Sequence, residues 1–168
     1  MAITYRIRAD AAYYKTTIDR YDQQRPRYLR YSTQYGIAGL TLAIIWASMT
    51  PPLTEQVIFQ SLAIAAIVTI GSVFITKHGI LWRFKRRTDF MQEHDVVVSE
   101  DGISAVAPHV KSSWTWPAYP YSVRFRDGIL LMRKGAIRWL PDTAIMDGDA
   151  SSATTLVASK TTLRRMDR

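Results

Sequence analysis

The sequence contains no cysteine. Disulfides, thiolate catalysis and cysteine metal sites are therefore excluded, a usage that suits a reducing cytoplasm. Charge is missing from one long internal stretch. Between Tyr31 and Thr76 there is no lysine or arginine, and Glu55 is the single acidic residue. A Gly-rich phosphate loop, a nucleophile elbow and a His-Glu zinc motif are also absent. The three histidines, His78, His94 and His109, are scattered, none paired at metal-ligand spacing. No catalytic, cofactor-binding or metal-binding residue can be named, so the chain is expected to be non-enzymatic.

The uncharged stretch consists of two apolar runs. They are Tyr35 to Thr50 and Val57 to Thr76, split by Thr50-Pro51-Pro52-Leu53-Thr54-Glu55. A hydrocarbon core of about 30 Å needs about 20 helical residues at about 1.5 Å each. The second run meets this alone. Its Val, Ile, Leu and Phe residues favour insertion by on the order of 5 kcal/mol, partly offset by Gln60, Ser61, Thr69 and Ser72. The first run gains nearer 2 kcal/mol, roughly, and spans only if it extends back to about Tyr31. Two transmembrane helices, about 31–50 and 56–76, are expected to insert as a pair. A buried helical hairpin in a soluble protein would need polar residues on its solvent faces, and the second run has almost none. Glu55, in the turn, marks the water boundary. A transporter would want polar groups at the midplane.

Basic residues crowd the outer flanks. Lys15, Arg20, Arg25, Arg27 and Arg30 precede the first run; Lys77, Arg83, Lys85, Arg86 and Arg87 follow the second. The connecting turn has no positive charge. The positive-inside rule then places both termini in the cytoplasm of a bacterial inner membrane and the Pro-Pro turn outside. The first run begins too far along the chain to read as a cleavable signal. The formal net charge is +8, but about half of the basic residues lie in these flanks. Anionic headgroups, each attracting a nearby basic residue by roughly 1 kcal/mol, are therefore the expected partners rather than nucleic acid. Within the hairpin, Gly39, Ala43 and Ala47 recur at four-residue spacing, as do Ser61, Ala65 and Thr69. Small residues so spaced form a flat stripe that lets helix backbones approach. The stripe serves either the hairpin's own contact or a partner helix, and a homo-oligomer is one form the latter can take.

The ends of the chain read differently. Ile3 to Arg8 alternates apolar and polar residues, the period of a half-buried strand. Asp10 can cap a helix from about Ala11 to Gln24, and Pro26 forces a break before the next. Past the exit, strands are expected at Asp95–Ser99, Ile103–Ala107, Val110–Trp116, Tyr121–Phe125, Ile129–Met132 and Ala136–Leu140. Turns at Glu100-Asp101-Gly102, Arg126-Asp127-Gly128 and Lys134-Gly135 separate several of them. About 60 residues is marginal for a separate core, so the strand at Ile3–Arg8, with the N-terminal helix, is expected to complete it. Trp114 and Trp116, on one strand face, and Tyr119 are expected in the core. The expected divisions are 1–30, an N-terminal strand and amphipathic helix; 31–76, the hairpin; 77–93, a basic juxtamembrane linker; 94–147, a cytoplasmic β domain; and 148–168, a polar, basic tail.

This order resembles the YcxB-like membrane proteins. The likeness rests on the strand, helix, two apolar helices and small β domain, with the Ser99-Glu100-Asp101-Gly102-Ile103 turn, Trp116 and Ile137-Arg138-Trp139-Leu140-Pro141. It extends to about Ile145. It implies a fold similar to bacterial pleckstrin-homology-like domains and no established enzyme activity. Such domains usually close with a clear amphipathic helix, whereas Ser151 to Arg168 is Ser/Thr-rich and promises only a short or frayed one. The expected fold class is thus membrane α+β: a two-helix transmembrane hairpin with a small antiparallel, pleckstrin-homology-like cytoplasmic domain.

Two functional classes follow. One is a binding or accessory subunit that meets another membrane or cytoplasmic protein through its hairpin and β domain; an immunity-type protein that neutralises a toxin belongs here. The other is an anionic-lipid-sensing module. The residues expected at the lipid or partner contact are Trp82, Arg83, Lys85, Arg86, Arg87, Arg124 and Arg126. Arg124, Arg126, Arg133, Lys134 and Arg138 together read as a solvated basic face.

Overall fold

The computed structural model describes residues 2–86, 90–107 and 110–166. The chain is α+β, with largely antiparallel sheets. Among the described residues one helix, Glu55–Lys85, is long and apolar enough to cross a membrane. The chain divides into two compact units: Met1–Gln24 with Phe84–Arg168, and Arg25–Arg83.

The first unit is built on two sheets. Strand β1 (Ala2–Arg8) buries Ile3, Tyr5 and Ile7, the alternate positions of its period-two pattern. It pairs antiparallel with β2 (Glu93–Ser99), across the whole length of chain that carries the helical hairpin. Strands β3 (Gly102–Ala107) and β4 (Val110–Thr115) continue outward from β2, and β8 (Ile145–Asp147) pairs with the other edge of β1. The second sheet holds β5 (Tyr121–Phe125), β6 (Gly128–Arg133), β7 (Ala136–Pro141) and β9 (Thr162–Arg165), in the order β7-β6-β5-β9. Among the described strands only β9 runs parallel, beside β5. The β2–β3 turn needs glycine: Gly102 has φ +155°, and a Cβ there would strike the Trp114 carbonyl.

Both faces of the second sheet are covered. One carries Ile129, Leu131 and Leu140 into a core shared with Ile3, Tyr5, Val96, Val98 and Ile103 of the first sheet. The other carries Val123, Phe125, Leu130 and Trp139. Helix α1 (Ala11–Gln24) docks on that second face, where the Tyr13 hydroxyl donates to the Trp139 carbonyl at 2.8 Å and Arg20 lies over the Phe125 ring while pairing with Asp127. Asp10 caps α1 by accepting from the Tyr13 amide at 2.8 Å. Strand and helix from the N-terminal segment do complete this core. Arg20, counted on sequence as membrane-flanking, is held to the β unit by Asp127.

The segment after residue 148 is not a tail. Helix α4 spans Ala150–Lys160, and Ala153, Leu156 and Val157 enter the core between the sheets. Asp149 caps it, accepting from the Ser151 and Ser152 amides at 2.8 and 2.9 Å. Strand β9 follows directly. The stripe at positions i, i+3 and i+4 is short, and the Ser/Thr residues around it conceal it in composition. Trp116 also departs from its expected place. Strand β4 ends at Thr115, and Pro117 turns the chain into a single 3-10 turn over Trp116–Ala118. Trp116 is buried from that turn, its indole N–H donating to the Ser99 carbonyl at 2.9 Å.

The second unit opens at Pro26 with a 3-10 turn over Arg27–Leu29, the expected break. Helix α2 covers Tyr31–Met49 and α3 covers Glu55–Lys85. Helix α3 does not stop near Thr76. No proline lies between Lys77 and Lys85 and the single Gly79 is tolerated within the helix, so the first part of the expected linker is helical.

Candidate functional site

In the second unit the small-residue stripes face one another. Gly39 and Ala43 are buried on α2; Val57, Ser61 and Ala65 are buried on α3. Ala47 and Thr69 are half-buried at the ends of the same rows. A Cβ on Gly39 would lie 2.7 Å from the Ala65 carbonyl and 2.8 Å from Thr69 Oγ1. The Thr69 hydroxyl shares its hydrogen between the Ala65 and Tyr35 carbonyls, and the Tyr35 and Thr76 hydroxyls meet at 2.7 Å. These contacts put the helices antiparallel, each four-residue step on α2 matched by a step back on α3. Val57 extends the row and escaped a reading based on small residues alone.

The large side chains on the other sides of the pair are mostly apolar and exposed. Ile67 is 71% exposed and Phe59 76%, and Ile37, Ile44, Ile70 and Ile75 are similar. Trp82, Arg83, Lys85 and Arg86 are exposed at the end of α3; Arg87 lies outside the described residues, as does His109. Arg126 is exposed. Arg124 is not on a solvated face. Its guanidinium makes two bonds to the Asp142 carboxylate, at 2.7 and 2.6 Å. That pairing holds the Arg124 pKa above its ordinary value.

Arg133 and Arg138 also leave the solvated face expected for them. Both lie over the Trp114 ring, at 4.7 and 4.9 Å from its centre. Trp114 itself is half-buried, edge-on to the buried Tyr119 ring. These residues line a cleft of about 250 Å³ within the β unit. Burial pushes the Tyr119 phenol up in pKa, and the charges of Arg138 and Arg133 oppose it. Burial likewise raises Tyr13 to about 12 and raises Tyr5, whose shift the charge of Asp142 reinforces. Among the described residues no group of three or more His, Asp or Glu side chains is placed to hold a metal ion.

No protein-family model matches the sequence, and no curated protein is significantly similar to it. Among solved structures, the chain is similar to the MyTH4-FERM MF2 domain of Dictyostelium discoideum myosin VII, at 14% identity and a TM-score of 0.29. The match covers 87% of this chain and 36% of that one. The chain therefore spans about a third of that structure's length, and so slight a likeness carries no argument.

Proposed function

We propose that this is a non-enzymatic inner-membrane protein that serves as a binding or accessory subunit. In this reading α2 and α3 cross the bilayer together, both termini are cytoplasmic, and the β unit presents the binding surface. The observation that carries it is the outward apolar surface of the second unit, with residues such as Ile67 and Phe59 more than two-thirds exposed. Water-soluble monomers rarely expose contiguous apolar patches beyond a few hundred Å². Lengths agree: α2, with 19 residues, rises about 28 Å, near the thickness of a hydrocarbon core, and α3, with 31, exceeds it and carries its basic end into the headgroups. The flanking charges supply the orientation. The resemblance to YcxB-like proteins supports the same reading, since the hairpin lies between the first and second strands of a two-sheet unit closed by a helix.

The lack of native cysteine makes the test clean. Single cysteines at Leu53 and Ser151, both exposed, should label from opposite sides of the membrane, Leu53 from outside and Ser151 only after permeabilisation. Labelling of both from one side would end the hairpin reading. Purification in mild detergent then tests the role. A stoichiometric protein partner, a toxin included, supports a binding subunit. Retained anionic lipid with no protein partner supports the lipid-sensing reading, to which the exposed run Trp82, Arg83, Lys85 and Arg86 lends itself.

A further inference from the structure

The register of the second sheet sets three arginines on its inner face. Arg124 stands opposite Ile129, Arg138 opposite Leu131, and Arg133, two residues beyond Leu131, opposite Ala136. Ile129 and Leu131 are fully buried between the sheets, and residues paired across or two apart along a strand share a face. Arg124 is matched there by Asp142. Arg133 and Arg138 are not: among the described residues no carboxylate pairs with either, both lie over the Trp114 ring, and Arg138 also donates a side-chain hydrogen bond to Tyr119. Trp114 and Ser112 face them from the inner side of the first sheet, paired with the buried Ile103 and Ala105.

This arrangement works against stability. Two like charges over one ring repel each other, and partial burial strips their hydration. Cation–π attraction to the ring offsets part of that. An apolar pair would pack the same space without the cost. The guanidinium faces rest on Trp114 and Arg138 gives one N–H to Tyr119, which leaves the remaining N–H edges. Those edges form the fork that matches a carboxylate or phosphate. The cleft, at about 250 Å³, falls just under the range of about 300–1,000 Å³ that holds drug-sized ligands. Its walls include Val96, Ala105 and Tyr119, which suit an apolar or aromatic body.

We propose that the cleft between the sheets binds a small organic oxyanion, a carboxylate or phosphate ester on a compact apolar body, with Arg133 and Arg138 clasping the anionic group over Trp114.

Isothermal titration of the full chain in neutral detergent tests this with phenylacetate, phenyl phosphate, benzyl alcohol and inorganic phosphate. At least one of the two aromatic acids should bind, and benzyl alcohol and inorganic phosphate should bind far more weakly. Arg133→Gln and Arg138→Gln should each weaken the acid by about ten- to a hundredfold. Arg138→Lys, which keeps the charge and loses the fork, should recover only part. Arg126→Gln, on the solvent side, should change nothing. Thermal melting without ligand separates binding from scaffolding: relief of repulsion should leave the Gln variants as stable as the parent or more so. The proposal fails if neither acid binds, or if inorganic phosphate binds as well as phenyl phosphate. It fails equally if the Gln variants melt earlier with affinity unchanged. Association with anionic vesicles but with neither small acid would assign the arginines to lipid headgroups and overturn it.

Discussion

The two units use the same apolar residue types in opposite ways. In the β unit Ile3, Ile129, Leu130, Leu131 and Leu140 are wholly removed from the surface. In the helical unit Ile67, Ile70, Ile75 and Phe59 face outward, and what is buried is Gly39, Ala43, Ser61, Ala65 and Val57. Burial of large apolar side chains is what water drives. Close approach of small residues, supplemented by hydroxyl contacts such as Tyr35 to Thr76, is what holds helices together where the surroundings are as apolar as the side chains. Under the proposed membrane reading, the contrast is that of one chain whose parts face different solvents.

The largest effect expected from a single change lies in the β unit. Leu140→Ala removes a side chain with no exposure, and should cost about 2–5 kcal/mol of that unit's stability. Ile67→Ala, made at a residue that faces outward, should leave the β unit's unfolding unchanged. Chemical denaturation of the detergent-solubilised chain, followed by near-UV circular dichroism, reads both. Equal losses would mean that the two units do not differ as described.

Charge sharpens the comparison from the other side. Leu40→Arg or Ile67→Arg should each cost about 2.5–3.5 kcal/mol of insertion free energy. Helix α2 has less apolar margin than α3, so the Leu40 variant should be lost from the membrane fraction first. Loss of the Ile67 variant with a normal Leu40 variant would reverse that ranking.

These contrasts were unevenly legible in the sequence. Strands β1 to β7 and helix α1 declare themselves through local period and turn residues, signals that lie within ten residues of each other. The stripes around Gly39 and Ala65 were readable for the same reason. Helix α4 was expected only as a short or frayed helix, and its place in the core was not legible, because Ala153, Leu156 and Val157 are three residues in a Ser/Thr-rich run whose worth comes from the sheets that they meet. The Arg124–Asp142 pair and the meeting of Arg133 and Arg138 over Trp114 depend on strand register across the sandwich. Nothing local distinguishes those three arginines from Arg126, which does face solvent. Trp116 was placed in the right core by the wrong route, because Pro117 ends the strand one residue earlier than the aromatic pattern suggests.

Titration bears on the β unit. Tyr13 is half-buried in the β unit, with its pKa raised to about 12 by desolvation of its phenol, and Tyr5 shifts in the same direction. A raised phenol pKa means that the folded state holds its proton longer than the unfolded chain. The associated stability is fully present below the unfolded value, near 10, and is lost as pH rises towards the folded one. The β unit should therefore lose stability steadily as pH rises from about 10 towards 12. Tyr13→Phe should flatten that slope by one group, as read from denaturation midpoints at several alkaline pH values. An unaltered slope would mean that Tyr13 titrates normally in the folded chain.

The smallest expected effect asks whether the helical unit has a specific contact of its own. Gly36 and Gly39 are one turn apart on α2. A Cβ on Gly36 meets nothing within 4 Å, whereas one on Gly39 meets the Ala65 carbonyl at 2.7 Å. A backbone oxygen cannot swing aside as a side-chain tip does, so Gly39→Ala forces the helices apart. The cost should be about 1–3 kcal/mol, typical of overpacking. Gly36→Ala should be neutral or slightly favourable, since alanine is the better helix former by about 1 kcal/mol. Cysteines at Ala43 and Ser61, one step along the antiparallel register from Gly39 and Ala65, report the spacing through oxidative cross-linking. Gly39→Ala should lower the cross-link yield, and Gly36→Ala should not. Equal yields in the two variants would show that the stripe does not set the approach of α2 to α3. The outward apolar surface would then be all that marks this unit off from the β unit.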